Sequence, residues 1–326
     1  MTTNSPPVRL VRSNTRLTSI FGAWFLPTAA AAVIFVVLCV VQPGVATYLG
    51  ISLTLAPVLP LVFAAVAQMF VVAGGDIDLG LGSFIGLVNV VFGVVLARSL
   101  TLGVLSLVGL VVAYAAMGVL IAVRHLPSII VTLGMSFVWL GVAIMILPTP
   151  GGAVPQSIVD LVGINPPFVP GVIAVLVVVS AAVALFLSRT RYGTVLRGAG
   201  SNPEGVRRAG WSVIGAKVTL YALAGVFGLL SGLFLSGQTS GADPYIAQSY
   251  VLLSIAGVVV GGGSFAGGDV SAVGTVAGAL VIGMLGSLLQ FLGVSSDYQV
   301  GAQGLVLVLV LVLRAAVRRV QRGRAL

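Results

Sequence analysis

The residues closest to a chemical signature are Gly210-Trp211-Ser212-Val213-Ile214-Gly215-Ala216-Lys217-Val218. A phosphate-binding loop sets its lysine directly after the second glycine and then a Ser or Thr, whose hydroxyl reaches magnesium. Here Ala216 displaces the lysine and Val218 follows it. Lys217 is the only lysine in the chain, so there is no Walker A sequence. Other reactive groups are as sparse. Cys39 and His125 are the single cysteine and the single histidine, which excludes an internal disulfide and a zinc cluster. The 7 acidic residues are scattered, with Asp76 and Asp78 alone standing close together. No catalytic and no metal-ligating set is expected, and the chain is not expected to be an enzyme.

The elements that carry these residues follow from composition. The chain has 326 residues, 59% of them hydrophobic and only 7% charged. Soluble domains carry roughly 25% charged residues, so lipid must be the solvent for most of this chain. A membrane helix needs roughly 20 mostly apolar residues. Apolar runs lie at 24–41, 53–73, 79–97, 100–123, 129–147, 168–187, 213–235, 250–262, 273–292 and 298–313. The expectation is one all-α polytopic domain over 1–326, a bundle of about ten spans. The runs at 250–262 and 298–313 are short enough to be re-entrant, tilted or half-length, and Pro57 and Pro60 should kink the second run.

Charge sets the orientation, because cytoplasmic loops collect Lys and Arg. With both termini cytoplasmic, the N-terminal tail 1–22, Arg124, the polar segment 189–212 and the basic tail 314–326 all lie inside. Only Arg98 falls outside, with Asp160, Asp243 and Asp297. This asymmetry accounts for the net charge of +9 without nucleic acid. Between the spans, no segment is long enough for a separate soluble domain; the longest external loop, 148–167, could form a small lip.

The segment Arg191–Trp211, RYGTVLRGAGSNPEGVRRAGW, is a polar island in an apolar chain. Asn202 can cap a helix, Pro203 suits its first turn and Glu204 favours the positive end of the helix dipole. Gly210 can end it. The resulting helix, 203–209, exposes Glu204, Arg207 and Arg208 and is too short to stand alone in water. Either it is a solvated link whose arginines set topology, or it docks against a soluble partner.

GSNPEGVRRAGW, Gly200–Trp211, resembles the cytoplasmic coupling segment of ribose-type ATP-binding-cassette importer permeases. AGGDIDLGLGS, Ala73–Ser83, is similar to that family's Gly-Ile-Asp-Leu-Ser-x-Gly-Ser signature. VVVGGGSFAGGDVSAVGT, Val258–Thr275, resembles its second glycine-rich signature. Order and spacing agree over nearly the whole chain. Departures include Asp76 for the usual Gly, Gly80 for Ser, Glu204-Gly205 for Ala-Ala and Asp269-Val270 for Lys-Gly.

The resemblance implies a permease subunit in a bacterial inner membrane. Its path would carry a small polar solute, most simply a monosaccharide such as ribose. It also implies cytoplasmic ATPase subunits docked on Asn202, Pro203, Glu204, Arg207, Arg208 and Gly210. A second permease subunit, like or unlike, and a periplasmic or lipid-anchored solute-binding protein complete the set. ATP and magnesium would be bound by the ATPase and no cofactor by this chain. Asp76, Asp78, Gly82, Gly262, Gly267 and Gly268 fall on signature loops and are candidates for gating, although capping and tight turning also explain them.

Polar or aromatic residues within spans include Gln68, Asn89, Tyr114, Ser136, Trp139, Tyr221 and Gln290. Gln68 and Asn89 flank the first signature loop and are the candidates for the solute path, against the alternative of interhelical hydrogen bonds. Two rivals remain at this stage. One is a branched-chain amino acid or nucleoside permease of the same superfamily. The other is an ATP-independent carrier or channel, against which the lack of mid-span ionisable groups counts. A membrane scaffold that moves no solute is a third class.

Overall fold

The computed structural model describes residues 24–295 together with Tyr298, Gly301, Gly304 and Leu305. The expected tails 1–22 and 314–326, and most of the last apolar run, lie outside the described residues. Among those described, the chain is helical, with one isolated bridge between Gly151 and Ala242. The apolar runs become α1 (Phe25–Val41), α2 (Tyr48–Leu55), α3 (Leu59–Ala73), α4 (Leu81–Val90), α5 (Leu100–Arg124) and α6 (Ser128–Ile146). The loop 148–167 adds α7 (Gln156–Val162), followed by α8 (Gly171–Arg189). The polar island holds α9 (Arg191–Ser201) and α10 (Pro203–Arg208), and α11 (Val213–Thr239), α12 (Tyr250–Val260) and α13 (Ala272–Phe291) complete the bundle. Among the described residues, six helical stretches are long and apolar enough to cross a membrane, and α1, α4 with its extension, and α12 are shorter apolar helices.

Helix α3 is the axis of the bundle, because every one of its residues from Leu59 to Ala73 is buried. It is joined to α2 through a 3₁₀ turn, Ala56–Val58, where Pro57 and Pro60 break the regular ladder. Phe63 stacks on Phe234 with centroids 4.8 Å apart, and Phe70 packs on Phe227 at 5.5 Å, which fixes α11 against α3. Helix α5 lies on the other side of α11 and buries Tyr114, Met117 and Ile121 while Leu105, Val108 and Val112 stay exposed for lipid.

Charge sorts to the two ends. Arg124, Arg189, Lys217 and α9–α10 share one end with the loops 74–80 and 261–271, as the contacts below establish. Arg98 lies at the other end with α7 and the 240–243 segment. Apart from Arg98, the basic residues of the described part therefore gather at one end of the bundle, as the charge reading expects; both termini lie beyond the described residues.

Two spans are interrupted. The α3–α4 loop runs back alongside α6: Ile77 N–H donates to Ser128 Oγ (3.2 Å) and Leu79 N–H to Thr132 Oγ1 (3.0 Å). Helix α4 thus begins inside the bundle and ends in a π-helical turn, Val91–Leu96. From the opposite end, 243–249 descends along α4. Asp243 N–H donates to Asn89 Oδ1 (2.9 Å), and Pro244 and Ala247 carbonyls lie against Gly86 and Gly82. Irregular backbone is tolerated at membrane depth only when buried in protein or lining a water-filled cavity. Here side chains such as Ser128, Thr132 and Asn89 supply the missing partners.

Asn89 is fully buried; its amide also donates to Ser236 Oγ (2.9 Å) and to the Gly241 carbonyl (3.2 Å). Asn89→Ala deletes all of these bonds. It is expected to lower stability by about 2 kcal/mol, read as a fall in thermal midpoint of the detergent-extracted chain.

Candidate functional site

Helix α10 forms as the capping residues dictate. Asn202 Oδ1 accepts from Gly205 N–H (2.9 Å), satisfying an orphan donor of the first turn. At the other end Gly210 has φ +81°, a conformation that costs glycine little. Gly210 N–H reaches the Arg207 carbonyl (2.9 Å) and Trp211 N–H the Val206 carbonyl (3.1 Å), closing a Schellman motif. Glu204 pairs with Arg207 (2.6 Å) and with Arg208 (3.1 Å), all three well exposed. Hydrogen bonds from Arg207 and then Arg208 hold the Glu204 carboxyl below its ordinary range. A carboxyl so shifted contributes above the unfolded value and loses its contribution as pH falls through the lowered one. The pairs therefore persist throughout the neutral range. Exposed pairs of this kind add little stability; they leave a patterned charged surface.

Helix α9 was not anticipated, because Gly193, Gly198 and Gly200 within 191–201 argue against a helix. Packing overrides propensity. Thr190 Oγ1 accepts from Gly193 N–H (2.8 Å), and Val195, Leu196 and Ala199 are buried. Tyr192 hydroxyl contacts Thr219 Oγ1 (2.7 Å), tying α9 to the first turns of α11.

At the end of α9 the motifs 73–83, 200–211 and 258–275 meet. A Cβ on Gly200 would stand 2.1 Å from the Ala73 carbonyl oxygen. That same oxygen accepts from Gly268 N–H (2.9 Å), and Gly267 packs against the Gly200 backbone. Gly267 and Gly268 both have positive φ, +82° and +80°. The α3 terminus, the island and the α12–α13 loop are thus in backbone contact. Gly200→Ala is expected to force the three apart at a cost of about 2 kcal/mol, measured as a lower thermal midpoint of the purified chain. Gly262 (φ +100°) shares the α12–α13 loop, whereas Gly82 lies deeper, in the first turn of α4 against Ala247 and Val251.

Beneath the junction sits a polar cluster that binds the α3–α4 loop. Lys217 Nζ donates to both Asp76 oxygens, at 2.9 and 3.1 Å, with the side chains 22% and 11% exposed. Asp78 is 1% exposed; one oxygen accepts from Gly80 N–H (2.7 Å) and the other from the Tyr114 hydroxyl. Gln68, fully buried in α3, brackets the Asp78 backbone, its amide oriented to accept from Asp78 N–H (3.1 Å) and donate to the Asp78 carbonyl (3.3 Å). A cavity of about 640 Å³ opens beside α10, between the C-terminal end of α5 and the N-terminal end of α11, with His125, Arg207, Trp211 and Lys217 among its walls.

The sequence-derived candidates thus fall in three places. Asn202, Pro203, Glu204, Arg207, Arg208 and Gly210 build α10. Asp76, Asp78, Gly262, Gly267 and Gly268 lie on the α3–α4 and α12–α13 loops, which meet the island at Gly200, with Gly82 deeper in α4. Gln68 and Asn89 are enclosed and their amides are occupied by hydrogen bonds. The Asp76–Lys217 pair was missed. Its signal was a lone lysine and an aspartate out of pattern.

Residues 48–311 match the protein family described as branched-chain amino acid transport system / permease component. The chain is 32% identical over 259 residues to the ribose import permease protein RbsC of Escherichia coli (strain K12), covering 75% of this chain and 79% of that one. It is 38% identical over 129 residues to the ribose import permease protein RbsC of Bacillus subtilis (strain 168), 40% of either chain. To the autoinducer 2 import system permease protein LsrC of Escherichia coli (strain K12 / DH10B) it is 28% identical over 269 residues, 79% of this chain and 78% of that protein. No solved structure matches.

Proposed function

The chain belongs to the family of branched-chain amino acid transport system permease components, and from that premise we propose that it forms the translocation path of a binding-protein-dependent, ATP-driven importer of a monosaccharide or closely related sugar. The chain is a multi-pass membrane permease, and relatives named for ribose and autoinducer 2 support the choice of cargo. In this reading it sits in the bacterial inner membrane.

The observation that carries the ATP-driven reading is the junction at Gly200. A short, capped, charged helix stands at the inner end, and its root touches the two interrupted loops of the bundle. In this reading cytoplasmic ATPase subunits grip α10, and closure of the ATPase dimer displaces α9–α10. The displacement passes to the α3–α4 and α12–α13 loops and switches access between the two faces. ATP and magnesium bind the ATPase; this chain contributes no bond chemistry. A second permease subunit completes the path, and an external binding protein delivers the solute.

The family description also names branched-chain amino acids as cargo. One experiment addresses partner and cargo together. The chain is expressed with its ATPase and binding protein, purified and reconstituted, and uptake of labelled ribose and leucine is compared with and without ATP. Uptake of ribose only with ATP is expected. Uptake without ATP would remove the importer reading; ATP-driven leucine uptake would change the cargo.

A further inference from the structure

The irregular segment 243–249 leads into α12, and the two together make one interrupted span. Helix α12 has 11 residues, Tyr250–Val260, and so is about 16 Å long. It ends at the inner loop whose Gly268 binds the Ala73 carbonyl. Its outer end therefore stands near the middle of a hydrocarbon core roughly 30 Å thick. Gln248 and Ser249 lie at that depth.

One side of this span is closed. Ala247 is fully buried with its carbonyl against Gly82, and Ser254, Ala256 and Val258 are buried further along. The other side is open. Tyr245 is 48% and Leu252 66% exposed, and Gln248 and Ser249 are exposed between them. The spacing 245, 248, 249, 252 recurs at three and four residues, because successive turns link Gln248 N–H to the Tyr245 carbonyl (3.2 Å), Tyr250 to Ala247 and Val251 to Gln248. These residues form a single stripe. Neither the Gln248 amide nor the Ser249 hydroxyl is hydrogen-bonded among the described residues.

Lipid is a poor cover for such a stripe. An unpaired amide is costly in hydrocarbon, and non-helical backbone at membrane depth faces either protein or water. In transporters, interrupted helices mark the solute site for this reason. The chemistry of the stripe is neutral: an aromatic ring, an amide that both donates and accepts, and a hydroxyl. The carboxylate that precedes the stripe in the chain, Asp243, has one oxygen occupied by Tyr245 N–H (2.8 Å). Hydroxyl groups pair with the amide and the hydroxyl, and the apolar face of a sugar ring fits the aromatic ring.

We propose that Tyr245, Gln248 and Ser249 line the aqueous translocation path at mid-membrane and contact a neutral, hydroxyl-rich solute. This rests on the permease reading above and says which surface of the chain faces the path.

The test uses the full chain with Cys39 replaced by Ala, reconstituted with its ATPase and binding protein. Gln248→Cys and Ser249→Cys are compared with Val112→Cys, a lipid-facing position on α5 that is 61% exposed. A charged, water-soluble thiol reagent should modify both stripe positions about tenfold faster than position 112, following the exclusion of charge from hydrocarbon. Ribose, used as the probe during ATP-driven turnover, should slow that modification. Gln248→Ala should raise the KM for ribose about three- to tenfold, the scale of one lost hydrogen bond, with ATPase copurifying at the parent yield. Modification only by a lipid-soluble reagent would mean that lipid covers the stripe. Modification by neither reagent would mean that another protein surface, such as a second permease copy, buries it. Fast modification with unchanged KM would mean a wet crevice off the path. Each of these overturns the proposal. If the parent chain itself lacks ATP-driven uptake, the importer reading fails instead.

Discussion

Lys217→Met is expected to abolish most transport and to destabilise the assembled chain by about 3 kcal/mol, the scale for removing one partner of a buried pair. The pair joins α11 to the α3–α4 loop, and the Asp76 side chain is only 11% exposed. Without the ammonium, that carboxylate loses its only ion-pair partner among the described residues. The double variant Asp76→Asn/Lys217→Met removes both charges and should recover most of the stability, since a buried pair replaced as a unit is often nearly neutral. The comparison is a thermal-midpoint series on the purified complex, with uptake measured alongside. If Lys217→Met is as stable as wild type, the pair is not holding the loop.

The exchange Glu204→Arg/Arg207→Glu is expected to cut ATPase copurification at least about tenfold while membrane insertion stays intact. Glu204 and Arg207 pair with each other three residues apart on α10. The exchange keeps an i, i+3 pair, the Asn202 cap and the Gly210 Schellman end, and loses the exposed Glu204–Arg208 pair, which adds little stability, so the helix survives. What changes is the sign of charge at two exposed positions. Misplaced like charges across an interface cost several kcal/mol, which exceeds the roughly 1.4 kcal/mol that a tenfold loss requires. Wild-type copurification and uptake in this variant would remove α10 from the docking surface.

Much of this was legible in the sequence because lipid imposes a strong rule on composition. The run at 100–123 became α5 at Leu100–Arg124, and that at 129–147 became α6 at Ser128–Ile146. Capping chemistry placed α10 to within a residue at its end. What stayed hidden was long-range. Asp76 and Lys217 are separated by 141 positions, and no local pattern joins them. Helix α9 was obscured by three glycines that serve contact rather than flexibility. The segment 243–249 contains Asp243, Pro244, Gln248 and Ser249, so it reads as an external loop. It enters the bundle because Asn89, Gly86 and Gly82 receive it. Gln68 and Asn89 were picked as polar residues within apolar spans, and the structure puts them where such residues complete irregular backbone.

The central claim is that α10 faces the cell interior and is gripped there by a separate ATPase. The most direct measurement places a single thiol at position 204, as Glu204→Cys in a Cys39→Ala chain, and treats it with a membrane-impermeant maleimide. Intact cells should give no labelling, inverted membrane vesicles stripped of the ATPase should give full labelling, and adding the ATPase back should protect the thiol. Labelling in intact cells, or no protection on adding the ATPase back, would contradict the account.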